Sequence, residues 1–436
     1  MSVVSPSASE DTPYRSDEAY ARERDANDAL RGFRDRFYLP PDRIYMDGNS
    51  LGPLSREAEA SVLAALADWK AHAIEGWTAD ERPWFWIGEE LGALQADLVG
   101  AEPEEVVTTG GITTNLHQLL ATFYRPAGRR TRIVADELDF PSDIYALQSQ
   151  LQLHGLDPAE HLVLVRSRDG RTIDEADVVA AMTDEVALVW LPSVLYRSGQ
   201  LLDLERLTRE AHARGILAGF DLAHSAGSVP HHLHDWSVDF GVWCTYKYLN
   251  AGPGAVGALY VHRDRFGAAP GLAGWWGCDK ARQFEMSHAF TPAASAGAWQ
   301  ISTPSVLGAA ALYGSLRVIG EAGLEALRQK SLDLTGYLMF LADDLLAPLD
   351  FAVGTPREPA RRGGHVALEH AEAIRISRAL RALGVVPDFR PPNVIRLAPV
   401  ALYTTYAEVW QTVVALREIV ATGAHLQFGA GLESVT

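Results

Sequence analysis

The chain has 436 residues, of which 47% are apolar and 22% charged, with a formal net charge of −18. That length and apolar share supply two or three packed domains, or one large α/β unit with an appendage. The acidic balance argues against a duplex nucleic-acid partner, which needs a basic stripe, and leaves any anionic ligand to be held by local positive features.

The two cysteines, Cys244 and Cys278, have neither CxxC nor metal-ligand spacing, so no disulfide framework and no metal is expected, and a reducing cytoplasm is the expected location. The polar, acidic N-terminus lacks the apolar core of a signal peptide, and no apolar run reaches membrane-spanning length, so no membrane partner is expected.

Residues 1–16, rich in Ser, Pro and acids, read as a disordered N-terminus, and residues 17–55 as a segment that packs with a smaller C-terminal domain. Residues 56–320 read as a large domain. There TTGGITTNLHQLL (108–120) carries two glycines into an apolar-periodic stretch, and strand-like runs follow at RIVAD (132–136), HLVLVRS (161–167) and VALVWLP (186–192). A helix is predicted over Leu202–Ala213, with Asp203 as N-cap and Gly215 as its stop. Further strand-like runs lie at ILAGFDLA (216–223), DFGVWCTY (239–246) and GALYVH (257–262). Strands alternating with helices imply a mostly parallel sheet covered on both faces, with ligands at the carboxyl ends of its strands. From about residue 321 the texture changes: helices are predicted over 325–346, 370–383 and 406–421, around a basic, Gly-rich loop at 357–364. Residues 321–436 therefore read as a small α+β domain.

Lys247 stands between Tyr246 and Tyr248 at the end of an apolar run, where an ammonium needs compensation. Asp221 closes the run ILAGFD and His224 follows three residues later. Either residue alone is more often a turn cap or a satisfied polar group. A carboxylate and an amine at two strand ends of one parallel sheet, however, project into the same crevice. Such a pair suits pyridoxal phosphate, which needs a lysine for its aldehyde and an acid beside its pyridinium nitrogen. The Gly110-Gly111 run opening a helix offers backbone N–H groups and hydroxyls to a phosphate, although a bare turn and cap explains it as well. Phe140 in FPSD (140–143) can stack on a cofactor ring, although a Phe after a strand is more often core.

DGNSLGP (47–53), TTNLH (113–117), FPSD, FDLAHSAG (220–227), VDFGVWCTYKYLNAGPG (238–254), GWWG (274–277) and IRLAPVALY (395–403) occur in the order seen in kynureninases. The chain thus resembles, from about residue 45 to 405, a family of fold-type-I pyridoxal phosphate enzymes of the aspartate aminotransferase superfamily. The resemblance implies an α/β fold: a large domain with a mostly parallel seven-stranded sheet between helices, plus a smaller α+β C-terminal domain. It implies hydrolysis of the Cβ–Cγ bond of L-kynurenine, and more weakly of 3-hydroxykynurenine, to anthranilate and L-alanine in tryptophan degradation. Lys247 would carry the cofactor and act as base, Asp221 would partner its ring nitrogen, and Tyr246 would touch the phosphate and act as proton donor. Ile112, Thr113, Phe140, Pro141, Ser142, Asp143 and His224 would complete the cofactor contacts within the chain. Trp275 and Thr303 would reach the phosphate from the other subunit of a homodimer with shared sites. Asn49, Ser50, Trp77 and Arg396 would hold the substrate, Arg396 by its α-carboxylate.

Trp77 and Thr303 stand where animal members carry histidine and asparagine, which implies a preference for L-kynurenine over its 3-hydroxy derivative. A guanidinium in the apolar stretch IRLAPV needs a carboxylate partner, from substrate or from protein. Two rivals share the fold. A cysteine desulfurase needs a thiol on a mobile loop, whereas Cys244 lies in the strand before Lys247 and Cys278 has no evident loop context. A non-catalytic regulator would show an added DNA-binding domain or a lost lysine.

Overall fold

A computed structural model describes residues 14–78 and 83–431. In chain order its strands are β1 (Ile44–Tyr45), β2 (Val106–Thr108), β3 (Arg132–Asp136), β4 (Leu162–Val165), β5 (Val186–Pro192), β6 (Leu217–Asp221) and β7 (Phe240–Trp243). They continue with β8 (Ala258–Val261), β9 (Ala352–Val353), β10 (Val366–Glu369), β11 (Val385–Val386), β12 (Asp388–Arg390) and β13 (Val394–Leu397).

A seven-stranded sheet runs β2-β8-β7-β6-β5-β3-β4. Its pairings are parallel from β7 through β4, while β8 is antiparallel to both β7 and β2. The expected mostly parallel sheet is present, and the six strand-like runs become β3 to β8. Strand β2, only three residues long, was too short to show a pattern. It has a consequence: two antiparallel pairings in succession restore the direction, so β2 ends at the same edge as β6 and β7.

Local sequence explains the elements. In β5 every residue but Ala187 is buried, as befits a continuous apolar run covered on both faces. The predicted helix forms over Leu204–His212. The Asp203 carboxylate accepts from the Arg206 N–H, and Leu204, Leu207, Thr208 and Ala211 make its buried stripe. Gly215, at φ +65°, takes the left-handed conformation that ends it.

The C-terminal region builds a second sheet, β12-β13-β10-β9, antiparallel throughout. Helices Leu324–Leu341, Ala373–Ala382 and Tyr406–Ala421 bury their apolar faces in one core with it. The first of them continues into a wider turn over Ala342–Leu346, within the expected span. The N-terminal segment is stitched to this region: β1 pairs in parallel with β11. Arg34 is held by both oxygens of Glu408, 2.7 and 2.8 Å away, and Glu408 and Thr405 form the capping box of helix Tyr406–Ala421. Residues 14–16, read as the end of a disordered tail, belong to this packing instead. Tyr14 lies against Tyr337 and Phe340, donating to Asp333 at 2.9 Å, and the Ser16 carbonyl accepts from Trp410. The rest of that tail, residues 1–13, lies outside the described residues. Among the described residues no helix is long and apolar enough to cross a membrane.

A buried ion pair adds to the docking. Lys330 Nζ lies 2.7 Å from Asp28 and 2.7 Å from the Ala401 carbonyl, and both charged side chains are nearly excluded from water. Asp28→Ala leaves a buried ammonium without its counter-charge and is expected to cost about 3–5 kcal/mol. A fall in the urea midpoint checks it; an unchanged midpoint would mean that the N-terminal segment adds no stability there.

Candidate active site

At the edge where β2, β3, β5, β6 and β7 end lies one pocket. It is lined by Asn49, Ser50, Ile112, Thr113, Phe140, Ser142, Asp143, Asp221, His224, Tyr246, Lys247 and Arg396 from the expected set. Three loops converge to make it. Gly110, at φ +54°, turns the chain out of β2 into helix Ile112–Phe123, where an added Cβ would lie 2.4 Å from Asn115 Oδ1. Phe140 precedes helix Pro141–Leu153, and the Thr113 and Ser142 hydroxyls lie 2.7 Å apart, joining the two helix N-termini. Neither terminus has a side-chain cap, so the N–H groups of Ile112 and Thr113 in one and of Ser142 in the other, which follows a proline, remain available to an anion. The third loop carries Lys247 and is locked by Gly52, whose N–H donates to the Tyr246 carbonyl at 2.8 Å. A Cβ at Gly52 would meet the Lys247 carbonyl at 2.5 Å.

Lys247 is half-buried rather than enclosed, and its Nζ lies 3.0 Å from His224 Nε2. Burial above all, then the nearby Lys247 and Arg396 charges, hold the His224 imidazole well below its usual pKa. The ring is therefore neutral, the amine donates and Nε2 accepts. On the other side sit acids. Burial raises the Asp221 carboxyl, against the pull of Lys247 and of the Ala223 N–H, which donates to Oδ1 at 2.6 Å. Burial and the neighbouring carboxylates push Asp143 and Asp139 well above the usual range, although Trp190 Nε1 donates to Asp143 at 2.9 Å. The Lys247 side chain pulls against that shift at Asp143 and Asp221. Burial also raises the Tyr246 phenol, which keeps its proton.

The wall opposite comes from the small sheet. Arg396, 1% exposed, finds its carboxylate in the protein: Asp388, fully buried on the neighbouring strand, with Nε to Oδ2 at 2.5 Å. Nη1 donates to the Tyr196 carbonyl at 2.5 Å and Nη2 to Ser50 Oγ at 3.1 Å. Asn49 is fully buried beside them with neither amide atom hydrogen-bonded, a polar group waiting for a ligand. Asp139, Tyr196 and Arg390 also line the pocket, and sequence reasoning missed them. The signal for Arg390 was an Asp and an Arg two residues apart in an otherwise apolar stretch.

Other expected residues fall elsewhere. Pro141 is the first residue of its helix and does not line the pocket. Trp77 packs on Trp84 and Trp276 with ring centroids 5.7 and 5.3 Å away, while Trp275 and Thr303 are exposed, all three outside the pocket of their own chain. Ser193 is buried behind Asp221, donating to its carbonyl at 3.0 Å. Among the described residues, Glu105, His234 and His262 alone group like metal ligands. The Glu105 oxygens there already accept the N–H groups of Glu102 and Arg263.

His365, fully buried, lies behind His224 with ring centroids 5.7 Å apart, and burial holds it well below its usual pKa. A histidine depressed in the folded state contributes stability above its unfolded pKa, which is lost as pH falls below about 6.5. Between pH 7 and pH 5 the wild type should therefore lose about 2 kcal/mol of stability relative to His365→Gln. Urea titrations of both proteins at the two pH values check it, and a constant difference would mean that the imidazole takes up a proton inside the fold.

The profile of the kynureninase C-terminal domain matches residues 327–416. The kynureninase of Geobacillus thermodenitrificans is 57% identical over 416 residues, covering 95% of this chain and 97% of its own. That of Shouchella clausii is 54% identical over 409 residues, covering 94% and 96%. Among solved structures, the apo cysteine desulfurase of Thermococcus onnurineus NA1 aligns with a TM-score of 0.76 at 19% identity, over 90% of this chain and 98% of its own. The cystine C–S lyase C-DES, complexed with its product cysteine persulfide, aligns with a TM-score of 0.74 at 19% identity, over 87% and 98%. Identity that low speaks to the fold alone, whereas identity above one half along nearly the whole chain speaks to descent: this chain belongs to the kynureninase family.

Proposed function

We propose that the protein hydrolyses the Cβ–Cγ bond of L-kynurenine, with water, to anthranilate and L-alanine, using pyridoxal phosphate held by Lys247. The observation that carries the reading is the Lys247–His224 contact in a pocket with Asp221 on one side and two uncapped helix N-termini on another. The residues suit the cofactor. Asp221 would partner the ring nitrogen, and a cationic ring is what the crowded acids lack. Ile112, Thr113 and Ser142 would receive the phosphate with Tyr246, while Phe140, Asp143 and His224 would flank the ring. When bound, the cofactor supplies an electron sink for charge developing at the substrate's carbons.

The chain's own groups do the rest. Lys247, once released, takes the proton from the substrate Cα, and neutral His224 orients its amine by accepting from it. Tyr246, whose proton burial retains, delivers a proton to Cβ, the carbon that becomes the alanine methyl. Asn49, Ser50 and Arg396 hold the substrate, placing its carboxylate against the small sheet. Neither cysteine lines this pocket, so the thiol that a desulfurase requires is missing from it.

We infer further that two copies of the chain share their sites in a cytoplasmic homodimer. Trp275 (42% exposed), Phe284 (71%) and Met286 (67%) form an apolar surface that favours a subunit contact. Trp275 and Thr303 would then reach the partner's phosphate site. Trp77, from its aromatic cluster, would border the substrate's ring and favour L-kynurenine over 3-hydroxykynurenine.

Purified protein should release fluorescent anthranilate from L-kynurenine, and do so faster than it cleaves the 3-hydroxy substrate. After borohydride reduction the pyridoxyl group should sit on the peptide containing Lys247. No anthranilate would refute the reaction, and a label elsewhere would refute the assignment of Lys247. For the dimer, mixing inactive Lys247→Ala subunits with inactive Trp275→Ala subunits should restore part of the activity in hybrids. A fully active monomer in light scattering would overturn it.

A further inference from the structure

We infer that Arg390 is a second carboxylate-binding residue of the site, acting beside Arg396, so that substrate selection for an α-carboxylate rests on two guanidiniums. The inference deepens the proposed reading and rests on it. Strand β12 pairs with β13 so that Asp388 faces Arg396 and Phe389 faces Ile395. Side chains alternate along a strand, so Asp388 and Arg390 share the face that Arg396 occupies, while Phe389 and Ile395 point into the small-domain core. On the pocket face, Arg390 Nη2 lies 3.2 Å from the same Asp388 Oδ2 that holds Arg396, and both arginines line the pocket.

The donor count shows why one guanidinium does not suffice. Of the five N–H groups of an arginine, Arg396 commits its Nε–H and one Nη2–H to Asp388, one Nη1–H to Tyr196 and one Nη2–H to Ser50. One is left, which cannot grip a carboxylate through two parallel hydrogen bonds. Arg390, with about a quarter of its side chain exposed, holds Asp388 at 3.2 Å and donates to the Phe389 carbonyl at 3.4 Å, contacts longer than those that fix Arg396, and can exchange them for the ligand while Asp388 keeps Arg396 in place. The pocket's layout points the same way: Asp139, Asp143 and Asp221 line the opposite side and offer a carboxylate no cationic donor, whereas both guanidiniums stand on the small-sheet wall.

The test compares wild type, Arg390→Gln and Arg390→Lys, each loaded with cofactor. Every protein is titrated with L-alanine and with ethylamine, the same amine without its carboxylate, and the cofactor absorbance is followed. Arg390→Gln should weaken alanine binding about 10- to 100-fold and leave ethylamine unchanged within about twofold. Arg390→Lys, which keeps the charge but loses the fork, should fall between, and KM for L-kynurenine should rise more than kcat falls. Cofactor absorbance retained at wild-type strength shows that the variants are folded. Equal weakening of both ligands, or unchanged alanine binding, would overturn the inference. A wild type that distinguishes alanine from ethylamine in this way but releases no anthranilate would refute the reaction and leave the carboxylate site standing.

Discussion

Carboxyl groups of Asp139, Asp143 and Asp221, each at most 8% exposed, are buried at one edge of a sheet, where the Lys247 amine pulls on Asp143 and Asp221. Much of the structure serves that concentration. Parallel strands force their ends, and hence these acids, to one edge, and the reversal through β8 brings β2 there as well. Isolated, such a cluster is costly and holds protons it would lose in water. A positive charge beside it offsets that cost, as the pull of Lys247 on Asp143 and Asp221 does in part.

The amine is placed by contacts remote in sequence. Gly52, in the segment that runs across from the small domain, donates to the chain at Tyr246 and leaves no room for a side chain against Lys247. His224 then fixes where the amine points, and His365, from the loop before β10, packs behind it. The lysine therefore sits between two sheets. The large sheet presents the acids, the small one presents Arg390 and Arg396, and the N-terminal segment ties the two together through β1 and the Asp28–Lys330 pair.

The likeness to cysteine desulfurases and C–S lyases illustrates how little the sheet says about the reaction. The same strand-end scaffold accepts different bond cleavages because the chemistry resides in loops and in the facing wall. Here Cys244 is buried behind the lysine and Cys278 lies outside the pocket, while the small sheet supplies arginines.

From the sequence alone, the strand-like runs around β3 to β8, the capped helix before β6 and the helices of the small domain were readable, because each expresses a local rule of periodicity or capping. Asp221, His224 and Lys247 were readable as a set because strand ends in a parallel sheet must converge. Their motifs, in order, carried the resemblance. What the sequence could not express was partnership set by tertiary structure. Tyr196 in the wall beside Arg396 and Tyr14 against Tyr337 depend on packing between regions hundreds of residues apart, whereas Asp388, only eight residues from Arg396, meets it because of the register of β12 on β13. Even β2 escaped notice, since three residues cannot show a period. Local propensity therefore determined the elements and the neighbourhood of Lys247, whereas register and burial decided which charges meet, because an ion pair is defined by distance in space rather than by separation along the chain.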